Sequence, residues 1–212
     1  MTPHVGASAP EAVSRPRVEG DREQQILDAT LDVLADVGYD RLTMDAVATQ
    51  AKASKATLYR RWNNKVSLVI DALLTAKSAP EVPDTGSLRG DLIAAYCGFG
   101  GQAGLMDTRA VATFSSVITA LHRDAEFAAA FREQVIGPKI AVSEAIYANA
   151  KARGEVREDL DVSLFGPSLA GICLHRVFML GEIPDQDLIT RIIDQIIVPA
   201  AMNPSYVKES HG

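Results

Sequence analysis

Apolar residues recur every three or four positions along almost the whole chain from Asp21 onward, and no stretch alternates with the period of two that a half-buried strand needs. That regularity confines the fold to helices. Ile26, Leu27, Leu31, Leu34 and Val37 share one helical face, and Gly38 follows as a stop able to take the left-handed conformation. Thr43 is placed to cap a short helix over 44–51, and Ser54 another over 55–62. Asn63 or Asn64 caps a further helix reaching about residue 77. Beyond it, helices are expected over 88–104, 108–122, 124–153, 163–180 and 185–199. Gly137-Pro138 should kink or split the longest of these, and Gly154 should stop it. Pro167 leaves the start of the next one open. The expected architecture is all-α, with about nine helices and no internal repeat.

At 212 residues the chain has room for one large domain or two small ones. Residues 1–20 are rich in Pro, Ala, Gly and Ser and lack periodicity, so they read as a disordered tail. The run SAPEVPDTGS, residues 78–87, reads as a loop between two helical groups. The division expected is a tail over 1–20, a small helical domain over 21–66 and a larger one over 67–212. The two cysteines, Cys97 and Cys173, form neither a disulfide framework nor a metal quartet, which points to a reducing compartment, the cytoplasm. The first residues lack the apolar core of a secretory signal. The most apolar stretch, 162–181, contains Pro167, His175 and Arg176, so a helix of a water-soluble core is expected there and no membrane partner.

Charge is distributed unevenly. The net charge is −6, yet residues 1–77 hold ten basic and ten acidic side chains, so the excess acid lies entirely in the remainder. Residues 41–65 carry Arg41, Lys52, Lys55, Arg60, Arg61 and Lys65 against Asp45 alone. Such a cluster is either a solvated face or the footprint of a polyanion.

The local pattern favours the polyanion. In TMDAVATQAKASKATLYRRW, residues 43–62, two short helices meet at a tight turn around Lys52-Ala53. The first buries Met44, Val47, Ala48 and Ala51, and its alanines let a second helix cross closely. In the second, Leu58 and Trp62 lie one turn apart and face inward. With Leu58 as reference, Ala56 and Arg60 fall near the opposite side, at roughly 160° and 200°, flanked by Thr57 and Tyr59. A small residue, a hydroxyl, a phenol and a guanidinium on one exposed face suit a major groove read by the N-terminal part of a helix. Lys55, Arg61 and Lys65 stand at the margins, where phosphates would lie, Thr43 and Tyr59 add hydroxyl donors there, and Ser54 is counted with the DNA-binding residues. Arg15, Arg17 and Arg22 could reach the same backbone from the N-terminal segment.

These residues resemble the DNA-binding domain of TetR-family transcriptional regulators over 26–69. The matching features are Gly38-Tyr39 after the first helix, Thr43 opening the second, Ser54, Thr57, Leu58 and Tyr59 in the recognition helix, Trp62 three residues on, and Lys65. Lys52 and Ala56 occupy positions where the family often has glycine. PDTGSLRGDL and GEIPDQDL look like an actinobacterial-style branch of the family. The resemblance implies a homodimer on a palindromic double-stranded operator, released by a small-molecule effector that is not identifiable from the sequence.

For the dimer interface, Ile189, Ile192, Ile193, Ile196 and Ile197 form an apolar stripe, with Leu169 and Cys173 on the preceding helix; the same stripe could instead pack within one chain. For an effector pocket the candidates are Tyr96, Phe99, Phe114, Ile118, His122, His175 and Phe178. The Gly98–Ala103 run imitates a dinucleotide fingerprint but lacks the preceding strand. Cys173 and His175 are two apart on a helix and diverge. Glu155, Glu158, Asp159 and Asp161 read as a solvated acidic loop. No nucleophile, cofactor site or metal site is expected, so the protein is read as a regulator rather than an enzyme. The alternatives are a helical small-molecule-binding or adaptor protein that no longer reads DNA, and an effector-independent DNA binder.

Overall fold

The computed structural model describes residues 16–75, 81–97 and 108–203. Nine helices form among them: α1 (Pro16–Val37), α2 (Met44–Gln50), α3 (Lys55–Arg61), α4 (Lys65–Thr75), α5 (Leu88–Cys97), α6 (Thr108–Arg123), and three composite helices. Helix α7 joins Ala125–Phe131, Arg132–Ile136 and Gly137–Ala152; α8 joins Val162–His175 and Arg176–Leu180; α9 joins Gln186–Ile192, Ile193–Ile197 and Val198–Ala201. The described residues contain no strand, only an isolated bridge between Val156 and Met202.

One boundary shifts. Helix α1 begins at Pro16, inside the segment read as tail, with the proline in the first turn where its missing N–H costs nothing. Residues 1–15, the expected continuation of α5 past Cys97, and the Gly98–Ala103 run lie outside the described residues.

The middle segments of α7 and α9 are wound wider, with i to i+5 bonding, and each precedes a segment opening with proline, Pro138 or Pro199. A proline donates no hydrogen bond and its ring crowds the carbonyl four residues back, so the ladder slips by one residue. The expected break at Gly137-Pro138 is therefore a local π-type stretch within a continuous helix.

The chain buries two separate cores. The first gathers Ile26, Leu34, Leu42, Val47, Leu58, Trp62 and Leu68 from α1–α4, but also Val117 and Ala120 from α6 and Phe127, Phe131 and Val135 from α7. The second gathers α5, the last part of α7, α8 and α9. Among the described residues the two clusters of buried side chains part within α7, at the π-type stretch.

The isoleucine stripe of α9 faces inward. Ile189, Ile192, Ile193 and Ile197 are buried in the second core with Leu169 and Cys173, and of the proposed interface residues only Ile196, 51% exposed, reaches the surface. The reason is supply: α5 presents Leu88 and Leu92 and α8 presents Leu169 and Cys173, all of which need covering, and α9 packs against both helices.

The acidic loop is also corrected. Glu155 is 2% exposed and Asp91 fully buried. Arg153 links them, donating from Nε to Glu155 at 2.5 Å and from Nη2 to Asp91 at 2.9 Å. Glu155 also accepts from the Leu88 amide at the start of α5, and Asp91 accepts from the amide and hydroxyl of Thr85. Gly154, at φ 75°, makes the turn that returns Glu155 beneath the end of α7. Glu158, Asp159 and Asp161 remain exposed, Asp161 as the cap of α8.

Candidate nucleic-acid interface

Local capping shapes the interface. Thr43 accepts from the Ala46 amide at 3.1 Å and starts α2; Ser54 accepts from the Thr57 amide at 3.1 Å and starts α3; Asn64 accepts from the Ser67 amide at 2.9 Å and starts α4. Between α2 and α3, Lys52 sits at φ 50°, the one described non-glycine residue in the left-handed region. Its carbonyl accepts a 2.5 Å bond from Arg22 Nη2, so α1 helps hold the turn. Sequence reading missed this role of Arg22, which was placed near phosphates instead.

Inside the bend, Leu58 is fully buried and Trp62 is 2% exposed, as the helical phase requires. The Trp62 indole donates to Asp71 Oδ2 on α4 at 2.8 Å, which locks the far end of α3. Outside it, Ala56, Tyr59 and Arg60 are exposed, Tyr59 by 53%. Thr57 is half-buried and its hydroxyl lies 2.8 Å from that of Ser54, so it shares the cap rather than standing clear on the surface.

The marginal cations are tethered differently from one another. Lys55 pairs with Asp45 at 2.6 Å and Arg61 with Glu23 at 3.1 Å, all four side chains well exposed. The hydrogen bonds to those carboxylates push both basic groups upward, so each keeps its proton. Exposed pairs of this kind add little to stability because water already solvates both charges, so either cation can exchange its partner for a phosphate at little cost. Lys65 is half-buried: Nζ donates to the Tyr39 carbonyl at 3.2 Å and stands 4.0 Å from the Tyr39 ring centroid. That placement makes Lys65 a strut between α4 and the turn after α1, which the spacing of charges alone could not disclose.

Tyr39 joins this head to α7. Its hydroxyl donates to Asp124 Oδ2 at 2.8 Å, and its ring packs 4.4 Å from that of Phe127. Asp124 also caps α7 by accepting from the Phe127 amide at 2.9 Å. The amide, and after it the Tyr39 hydroxyl, hold the Asp124 carboxyl below its ordinary range; burial and Asp124 push the Tyr39 phenol up. Further ties run from Arg109 to Asp32 (2.8 Å), Arg123 to Asp40 (2.6 Å) and Asn64 to Glu126 (3.0 Å).

Of the expected effector residues the structure brings Phe114 and Phe178 together and leaves Tyr96 apart from that pair. His122 is exposed in the last turn of α6, and His175 is exposed within α8, just before its wider-wound segment. Phe114 stacks on Phe178 with centroids 6.2 Å apart, and Phe114 and Ile118 lie on α6, while Tyr96 is buried in the second core. Phe99 lies outside the described residues. An open groove of about 440 Å³ runs instead between the end of α1 and α6, lined by Val37–Arg41, Ser115, Ser116 and Thr119.

Comparison with known proteins fits this plan. Residues 26–72 match the family described as bacterial regulatory proteins, tetR family, and residues 82–196 match the tetracyclin repressor-like C-terminal domain. The chain is 35% identical to a DNA-binding transcriptional repressor TetR of Mycobacteroides abscessus over 84% of its own length and 92% of that protein's. It is 32% identical to an uncharacterized HTH-type transcriptional regulator of Mycobacterium bovis, covering 84% and 87%. Among solved structures, a TetR family transcription regulator superposes with TM-score 0.63 at 26% identity, covering 86% of this chain and all of that one. The Bacillus subtilis regulator FadR in complex with stearoyl-CoA superposes at 0.68 with 18% identity, over 83% and 97%, a likeness of fold.

Proposed function

The chain belongs to the TetR family of transcriptional regulators, and on that premise we propose that it is a homodimeric repressor that grips two half-sites of a palindromic operator and lets go when a small molecule binds its C-terminal half. The observation that carries the DNA part is the exposed face of α3. Tyr59 and Arg60 stand clear for base edges, Ala56 permits close approach, and Lys55 and Arg61 flank them in weak, exchangeable ion pairs for phosphates. Ser54 and Thr43 add capped helix starts whose amides favour anions, and Thr57 supports them through the cap. A protein with this work acts in the cytoplasm.

The dimer reading now rests on other residues than the isoleucine stripe. Helix α8 is mostly apolar, long enough by composition to cross a membrane, yet the residues it buries are Leu169, Cys173 and Val177. Leu164 and Met179 are 68% and 69% exposed, and Leu180, Ile183 and Ile196 join them beside α9. An apolar band of this kind on a DNA reader suits a two-fold contact between copies, which sets the spacing of two recognition helices one DNA turn apart. The 67–212 domain is then the dimerisation and effector half, with α6 and the start of α7 acting as the link to the head.

The test is fluorescence anisotropy on the DNA upstream of the gene, across a salt series, with a scrambled duplex as control. Two chains per duplex, a clear preference over the control and a steep negative salt slope are expected. Absence of binding to any duplex at low salt would sink the DNA reading in favour of an adaptor.

A further inference from the structure

Buried polar side-chain atoms lacking any partner are few among the described residues: Ser143 Oγ and Tyr147 OH. Native cores rarely leave such groups bare, because the desolvation of each is uncompensated. Both lie on the last segment of α7, one turn apart on one face, with Ser143 6% and Tyr147 1% exposed. Opposite them is Gly166 of α8. A Cβ at Gly166 would stand 3.1 Å from Ser143 Oγ, so glycine leaves the hydroxyl its room. Tyr96 of α5 points at the same glycine, its hydroxyl donating to the Gly166 carbonyl across a long 3.4 Å. Phe165 meets the Tyr147 ring at a steep angle, centroids 6.2 Å apart.

We propose that the hydroxyls of Tyr147, Ser143 and Tyr96 form the polar end of the effector site and take an uncharged small molecule through its carbonyl or hydroxyl group. The inference rests on the effector-released reading above and adds the chemical class. An apolar body would lie against the aliphatic and aromatic side chains of the second core, while its hydrogen-bonding end partners the bare hydroxyls. An anionic headgroup fits poorly. Arg153, the guanidinium at the edge of this core, is already shared by Asp91 and Glu155. Burial pushes both phenols up, so they remain neutral donors, and an anion there would be desolvated without a countercharge. The position also gives the ligand leverage. It would bridge α5, α7 and α8, and α7 runs on through its π-type stretch to Asp124, which holds Tyr39 of the head.

The experiment uses the full chain, with melting temperature and DNA binding read together. The probes are 2-undecanone, 1-decanol and a neutral flavonoid, set against decanoate and stearoyl-CoA. At about ten times its dissociation constant a ligand raises the melting temperature of a chain this size by roughly 3–6 °C. At least one neutral probe should do so for the wild type. Tyr147→Phe and Ser143→Ala should melt unliganded at or above the wild-type temperature, since each removes a bare hydroxyl, and should at least halve the shift. The inference is overturned if the anionic probes stabilise as well as the neutral ones, if no neutral probe moves the wild type, or if the shift survives in the double variant. Salt-dependent DNA binding by all variants separates that failure from a failure of the regulator reading, in which the wild type itself would bind no duplex.

Discussion

Both halves of the molecule carry exposed ion pairs, but the second core also buries a charged cluster. In the head, Lys55, Arg60 and Arg61 lie on the surface, and the carboxylates they meet, Asp45 and Glu23, are exposed too. In the second core the clustered charges are inside: Asp91 and Glu155 are buried and Arg153 is shared between them. The same three residue types therefore do different work. Surface pairs cost little to break and can be traded for a phosphate, whereas a buried carboxylate that loses its partner is left charged in a medium that cannot solvate it.

The sharpest way to break that comparison is Arg153→Ala. It leaves two buried carboxylates unpaired and should cost about 3 kcal/mol, a fall of roughly 6–12 °C in melting temperature. Because the cluster belongs to the second core, that core should melt first, giving two transitions by calorimetry. A single transition within 2 °C or so of the wild type would mean that the cluster is not structural.

Substitutions in the head should leave folding nearly intact and appear on DNA. Arg60→Ala should lose about 1–3 kcal/mol of discrimination between operator and scrambled duplex, as expected of a guanidinium that reads a base edge. Lys55→Ala should weaken both duplexes alike and flatten the salt slope by about one. Equal losses for the two variants on both duplexes, measured by anisotropy, would erase the distinction between reader and phosphate holder.

The turn between them offers a gain instead of a loss. Lys52 holds φ 50° at some steric cost. Lys52→Gly should stabilise the protein by about 0.5–1 kcal/mol after allowing for glycine's greater freedom when unfolded. That is roughly 1–4 °C by thermal melt. No gain would show that the Arg22 bond to the Lys52 carbonyl already relieves the turn.

The head was the more legible half, for a reason visible in its residues. Thr43 and Ser54 cap the helix that follows each of them, and Leu58 and Trp62 point inward because their spacing leaves no other face apolar. Such signals act within a turn or two. The C-terminal helices carry apolar residues on more than one side, and spacing cannot tell a side that meets α5 from one that meets another copy. The α9 isoleucines went to the interior and the outward band fell to Leu164 and Met179 of α8. Glu155 sat in a run of acids with nothing local to mark it as buried; its partners Arg153 and Leu88 are brought by the fold. Lys65 likewise reads by spacing as one more surface cation; its contact with Tyr39 comes from the fold.

The smallest expected effect concerns the joint between the halves. Tyr39→Phe keeps the ring against Phe127 and under Lys65 but removes the hydroxyl that donates to Asp124. The cost should be about 0.5–1 kcal/mol near neutral pH. Its pH dependence fixes the cause. Asp124 is held below the ordinary carboxylate range, first by the Phe127 amide and then by Tyr39. A carboxyl lowered on folding contributes stability that is complete above its unfolded value and lost as pH falls through its folded one. The gap between wild type and Tyr39→Phe should therefore stay level from about pH 7 to pH 4 and narrow below that, as Asp124 takes up its proton in both proteins. Urea titrations at several pH values measure this directly. A gap that persists undiminished in acid would assign the loss to packing around the ring, and the link between head and α7 would then be apolar contact alone.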